Sequence, residues 1–217
     1  MDITWHGYSC FTIKTKQCTI VIDPYDTAVT GLKLPLLKAD VVMVSNNHAG
    51  HNFTKAVTGE PQILDWPGEY EIKGAALIAK KVEYAKKEGN EKEKGEGMFF
   101  TIAVDGLRLC FLGDMGGVDD ALIEGIGDVD VLFLPVGGHN TMNAKEAHEV
   151  IEELEPRVVV PMHYAIKGAK GELDELEPFL KLIGVVSIEP KDKFTVNSRA
   201  ELKEDKMDCE VLTPQLG

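Results

Sequence analysis

With 217 residues, 44% of them hydrophobic, the chain can build one large core, and no composition break marks a linker, so a single domain over residues 1–217 is expected. A formal charge of −13 disfavours non-specific attraction to nucleic acid backbones and leaves a small-molecule or phosphoester substrate as the expected partner. No run reaches the ~18 apolar residues of a membrane span, residues 1–5 lead into a strand pattern without a basic or apolar leader, and Cys10, Cys18, Cys110 and Cys209 form no C-x-x-C pair, which together point to a reduced, cytoplasmic protein.

Residues 3–5, 10–14 and 19–22 read as a three-stranded antiparallel meander, broken by Gly7 and by Lys16-Gln17 and closed by Asp23-Pro24. Residues 32–38 read as a short helix or turn. The run Val41-Val42-Met43-Val44 has the pattern of a strand buried on both faces, and a parallel strand delivers its following loop, here Ser45-Asn46-Asn47-His48-Ala49-Gly50-His51, to a site at its carboxyl edge. Ile63-Leu64 then leads to a turn at Pro67-Gly68, and residues 75–81 to another strand. Residues 86–96 contain no apolar side chain and read as a solvated loop or mobile hairpin tip. Strand patterns resume at 98–104 and 107–112, joined by the hairpin pair Asp105-Gly106. Strand and helix then alternate: a helix at 118–125, a buried strand at 129–135, an amphipathic helix at 143–154, a buried strand at 157–161, a helix at 172–182, and strands at 185–188, 193–196 and 210–212. Strands first and strand-helix units after, in both halves, predict an α/β fold, an αββα sandwich of two packed mixed sheets with helices outside.

Groups that bind metals fall at four strand ends: His48 and His51, Asp114, His139, and His163. A divalent ion of borderline hardness takes nitrogen and oxygen ligands and keeps a position open for water, so imidazoles and carboxylates converging from several strands suit a metal-dependent hydrolase. Each residue also has a plainer reading. A strand-end histidine is often a hydrogen-bonded structural residue, Asp114 could cap the helix that follows, and His139, within Gly137-Gly138-His139-Asn140-Thr141, reads as structural or substrate-facing.

Asn46-Asn47-His48-Ala49-Gly50-His51 resembles the His-x-His-x-Asp-His signature of the metallo-β-lactamase superfamily, with Asn46 in place of a histidine and Gly50 in place of the aspartate. Trp5-His6-Gly7-Tyr8-Ser9-Cys10-Phe11, Ile22-Asp23-Pro24, Pro67-Gly68-Glu69-Tyr70-Glu71, Leu112-Gly113-Asp114, Leu134-Pro135-Val136-Gly137-Gly138 and Val160-Pro161-Met162-His163-Tyr164 extend the likeness over nearly the whole chain. Together they resemble the short prokaryotic branch of zinc-dependent hydrolases related to the ascorbate-6-phosphate lactonase group.

The resemblance implies metal ligands at His48, His51, Asp114 and His163. His48 would serve the first metal site, His51 and His163 the second, and Asp114 would bridge both. The superfamily's middle histidine has no counterpart, since residues 72–112 contain none. The first site is therefore degenerate, and the resemblance implies one zinc rather than two, or another divalent metal, or none. His51, Asp114 and His163 would hold a single ion, with His48 as a fourth ligand or proton shuttle and Asp114 and His48 as the catalytic pair. The implied activity is hydrolysis of an ester, lactone or phosphodiester through metal-bound hydroxide. The alternative is a catalytically silent member that binds a ligand or protein in its cleft, and RNA cleavage ranks below both because no basic patch is clustered in the sequence. His6 and Glu69 stand near the resembling motifs, with Glu69 favoured as an ordinary hairpin charge.

Overall fold

The computed structural model describes residues 1–88 and 91–217, with side chains given outside residues 85–94. In chain order its strands are β1 (Asp2–Trp5), β2 (Phe11–Lys14), β3 (Thr19–Ile22), β4 (Leu37–Lys38), β5 (Val41–Met43), β6 (Val57–Thr58), β7 (Gln62–Leu64), β8 (Gly68–Ile72), β9 (Ala75–Glu88), β10 (Glu91–Val104), β11 (Leu107–Phe111), β12 (Val131–Pro135), β13 (Val158–Met162), β14 (Phe194–Thr195) and β15 (Asp208–Cys209). The helices are α1 (Thr27–Thr30), α2 (Asp120–Ile126), α3 (Ala144–Leu154) and α4 (Glu177–Leu182). One sheet runs β14-β1-β2-β3-β5-β7 and the other β15-β13-β12-β11-β10-β9-β8, while β4 and β6 form a small ladder of their own.

The expected meander is present, with β2 antiparallel to both β1 and β3, because the short connections leave no room for a crossover. Parallel pairing takes over where connections lengthen. In the first sheet β5 lies between β3 and β7, parallel to both, and in the second β11, β12, β13 and β15 are parallel in turn. The period-two alternation of a strand sorts side chains between two cores. Ile20, Ile22, Val41 and Met43 enter the core between the sheets, while Val21 and Val42 face the other way against Tyr25, Leu32 and Leu37. At the centre Phe11 of the first sheet meets Phe133 of the second edge to face, ring centroids 4.8 Å apart, with Phe111 alongside both. The α3 helix opens on a reciprocal capping box between Asn143 and Glu146 and buries Ala147, Val150, Ile151 and Leu154. Two mixed sheets packed face to face under outer helices make the α/β sandwich that the sequence predicts.

Several local expectations are corrected. Residues 32–38 form no helix and contribute only β4. No strand forms at 185–188, where Val186 is fully exposed: β-branched composition favours a strand only where a neighbouring strand and a core accept it. The last strand is Asp208–Cys209 rather than 210–212, and Leu212 makes only an isolated bridge to Lys191. The helix expected from 172 starts at Glu177, with a proline in its first turn. Before it, the Asp174 N–H donates to the Gly137 carbonyl and the Asp174 carbonyl accepts from Ala165 N–H, so the backbone is already committed. The loop expected at 86–96 falls partly outside the described residues; on either side, β9 pairs with β10 as far as Glu88 opposite Glu91.

Two glycines let the sheets close where strand ends meet. A Cβ at Gly113 would stand 2.8 Å from the Ser45 hydroxyl, and one at Gly137 would overlap the His163 carbonyl oxygen. Gly137→Ala must therefore displace a backbone peptide, an overpacking expected to cost about 1–3 kcal/mol in urea unfolding. Gly117→Ala, whose added Cβ meets nothing within 4 Å among the described residues, is the matched control and should stay within about 0.5 kcal/mol of the parent.

Candidate metal centre

The loop after β5, the residue after β3, and the turns after β11 and β13 meet at the junction of the two sheets. Met98 N–H donates to the Ser45 carbonyl at 2.7 Å, and His163 N–H donates to the Tyr8 carbonyl at 3.1 Å, so each sheet is tied to the other next to the site. Three residues here hold positive φ without being glycine: Tyr8 at 48°, Asp23 at 47° and His163 at 54°. Such conformations cost of order 1–3 kcal/mol each and persist only where the surroundings over-determine them. Tyr8 is fixed by its carbonyl, which also accepts from the Trp5 indole N–H at 2.9 Å, and its ring meets the His163 ring edge-on at 5.1 Å.

Asp23 anchors the centre. Fully buried at the end of β3, its carboxylate accepts from Ser45 N–H at 2.7 Å and from the Ser45 hydroxyl at 2.5 Å, and it lies 2.8 Å from His51 Nδ1. With Nδ1 engaged, His51 turns Nε2 toward Asp114, 3.4 Å from Oδ2. The Asn46 amide donates to both Asp114 oxygens at 3.2 and 3.3 Å, and the Tyr84 hydroxyl is bonded to the same carboxylate. The His163 ring lies parallel to that of His51, centroids 5.8 Å apart, and its buried Nδ1 has no hydrogen-bond partner among the described residues.

Charge follows from this packing. Burial by itself would depress His51, but the Asp114 and Asp23 carboxylates outweigh it and hold its pKa at about 9. Burial and the neighbouring His51 charge press His163 down to about 4, so it is neutral at physiological pH. Burial opposes ionisation of Asp114, yet the His51 charge and the Asn46 amide bring it below the ordinary carboxylate range. Burial keeps Tyr84 protonated and therefore a donor.

Three of the four expected ligands, His51, Asp114 and His163, are thus brought together. His48 stands apart from them: it is exposed, and its Nδ1 accepts from Gly50 N–H two residues on, closing its own turn. Asp119 caps α2, which leaves Asp114 free of that role. His6 is buried with both ring nitrogens engaged, one with the Gln215 carbonyl at 3.0 Å and the other with the Thr12 hydroxyl at 2.8 Å, a structural tie to the chain's last residues. Glu69 projects outward from the edge strand β8. His139 sits at the surface, 3.7 Å from Asp174 and 3.9 Å from Glu172. Asp23 and Tyr84 are the members that sequence reasoning missed. Asp23 stood in a quoted motif, but an aspartate before proline reads first as a turn residue.

The donor set fits one ion in part. Two ligands of a tetrahedral zinc, each at about 2.0–2.1 Å, stand roughly 3.3 Å apart, close to the His51–Asp114 separation of 3.4 Å. Asp23 supplies the carboxylate that usually orients a ligating histidine through its other ring nitrogen. Among the described residues no three such side chains stand close enough to hold an ion as placed, so His163 would have to turn to complete the set.

The chain matches the family described as the β-lactamase superfamily domain over residues 2–163. It is 34% identical to a solved protein of Thermotoga maritima named for the Zn-dependent hydrolases of the metallo-β-lactamase superfamily, with a TM-score of 0.77 over 98% of this chain and 99% of that one. It is also 27% identical to a metal-dependent hydrolase of Thermoplasma acidophilum, over 76% of this chain and 83% of the relative. A Geobacillus metal-dependent hydrolase is 29% identical over 76% and 85% respectively.

The raised His51 pKa makes a prediction for the protein stripped of divalent ions. Folded His51 holds its proton to about pH 9 while the unfolded side chain releases it near 6.5, so the stability it contributes is complete below pH 6.5 and lost as pH rises through 9. Urea unfolding at intervals across this window should show that decline, with a slope approaching one proton. His51→Gln should flatten it; an equal slope in the variant would place the proton elsewhere.

Proposed function

The chain belongs to the metallo-β-lactamase superfamily of metal-dependent hydrolases, and from that premise we propose that it hydrolyses an ester, lactone or phosphodiester at the His51–Asp114–His163 centre with one divalent ion, zinc being the best match to the donors. The observation that carries this reading is the buried chain Ser45–Asp23–His51–Asp114, which aims a fixed imidazole nitrogen at a carboxylate at ligand spacing. His51, Asp114 and His163 would hold the ion. When bound, it supplies Lewis acidity and makes water a nucleophile near neutral pH.

The protein's own groups have separate tasks. Asp23 fixes the ring orientation of His51 and raises its basicity at Nε2. Asn46 and Tyr84, both donors to Asp114, hold that carboxylate in one orientation. His163, neutral at physiological pH, is available as a ligand. With the aspartate position of the signature filled by Gly50, water is oriented by fewer groups, and turnover is expected to be slow.

The second reading, a silent member that only binds, is favoured by one observation: the Asn46 amide already donates to both Asp114 oxygens that a metal would use. Zinc titration by calorimetry separates the two. The hydrolase reading expects about one equivalent per chain, none for His51→Ala or Asp114→Ala, and affinity about 10–100-fold lower for Asp23→Asn, whose carboxylate orients the His51 ring. Less than a tenth of an equivalent in the parent refutes metal catalysis. Full occupancy with no difference between the parent and Asp114→Ala against lactones, esters and phosphodiesters leaves the binding reading.

A further inference from the structure

A cavity of about 520 Å³ opens beside the metal centre and shares Asn46 with it. Among the described residues its lining combines carboxamides, a hydroxyl, the Trp66 ring and the aliphatic side chains of Val44, Ile63, Pro67 and Met98. Asn47 and Asn52 contribute two amides, each with two donors and an acceptor, and Thr54 adds a hydroxyl, while the Asn46 N–H groups and the Ser45 hydroxyl on the same wall are already given to Asp114 and Asp23. Asn52 donates to the Asn47 carbonyl at 2.8 Å, which uses one donor and one acceptor of that pair and leaves the rest of their capacity for a ligand. Trp66 stands on the cavity wall with 73% of its surface exposed, an unusual position for the largest apolar side chain. Its backbone is pinned, since the Trp66 carbonyl accepts from the Tyr70 hydroxyl at 2.9 Å and Pro67 follows. The other tryptophan, Trp5, is buried in the core.

Among the described residues, charge in this cavity is balanced or negative. Their one cation on the lining is Lys81, whose ammonium lies 2.7 Å from the Glu96 carboxylate; Asp65 adds another acidic group. An anionic ligand would have to break the Lys81–Glu96 pair in a protein whose net charge already repels it. An uncharged ligand rich in hydroxyls meets no such opposition: amides suit hydroxyls as donors and acceptors, and the apolar face of a saturated ring suits an exposed indole.

We propose that this cavity binds an uncharged, hydroxyl-rich ring, its apolar face on Trp66 and its hydroxyls on Asn47 and Asn52, with the bond to be cleaved at the Asn46 end beside Asp114. The orientation rests on the hydrolase reading; the binding itself does not. The proposal narrows the substrate class to neutral esters and lactones of polyols and sets phosphodiesters aside.

Tryptophan fluorescence tests it directly, because Trp66 is the exposed one of the two tryptophans in the sequence. Methyl glucoside and glucono-1,5-lactone should both shift the emission saturably, and glucose 6-phosphate, the same ring with a dianion, should bind about tenfold or more weakly. Asn52→Ala should weaken the neutral ligands in the same assay. Trp66→Ala should abolish their heat of binding in calorimetry while the remaining Trp5 emission confirms a folded core. Equal or tighter binding of glucose 6-phosphate overturns the proposal, as does saturable binding that survives Trp66→Ala. Absence of any shift by neutral rings overturns it even if the protein hydrolyses other esters. Binding of neutral rings by a protein that takes up no metal keeps the proposal and removes the hydrolase reading.

Discussion

The buried carboxylate of Asp23 is the constraint on which the site depends. A carboxylate with no exposure must be fully hydrogen-bonded or protonated, and here its oxygens are shared between Ser45, through N–H and hydroxyl, and His51. Those partners come from the loop after β5, so one side chain at the end of β3 locks the neighbouring parallel strand's loop onto its own. Once His51 is locked, the place of Asp114 in the second sheet follows: the imidazole nitrogen left over needs a carboxylate, and Gly113 allows the turn after β11 to come close enough to Ser45 to supply it. The interior core of Phe11, Phe111 and Phe133 sets the spacing between the sheets, and the polar chain at their rim sets the registration of the loops.

The two histidines of the centre are held differently. His51 has a partner at each ring nitrogen, whereas His163 Nδ1 has none among the described residues and the ring is held through its backbone, its Tyr8 neighbour and its parallel stacking. A buried polar atom without a partner is costly, and it is tolerated most readily where a ligand or ion completes it. Rotation of His163 is therefore the motion with the least to lose. The strained backbone at Tyr8, Asp23 and His163 lies in the same place, so strain and unsatisfied bonding capacity coincide at the junction of the sheets.

Much of the fold was legible because its strands are long apolar runs whose connections dictate pairing: the meander, the Asp105-Gly106 hairpin, and the buried strands before His51, Asp114 and His163 all follow from pattern alone. Residues 185–188 misled because Val185, Val186 and Ile188 carry strand composition without any strand beside them. Within the site, the motif histidines carry their own signal. Asp23 does not, since what distinguishes it from a turn aspartate is burial, and burial of a charged residue is written in contacts from 22 and 28 residues away. His48 shows the converse: its spacing within the signature suggested a ligand, but spacing fixes only which loop it occupies, and a local bond from Gly50 N–H fixes its ring.

The substitution of Asn46 in the signature has a chemical sense that deletion would lack. An imidazole at that position would present a lone pair to a metal, whereas a carboxamide presents N–H groups to whatever lies opposite, and opposite lies Asp114. Loss of the first metal would leave that carboxylate short of positive charge; the amide and the His51 charge together restore it. The same residue forms the inner end of the neighbouring cavity, beside Asn47 and Asn52, so Asn46 both meets Asp114 and joins that carboxylate to the cavity wall. Both proposals, an uncharged hydroxyl-rich ligand and a single ion, therefore meet at one asparagine.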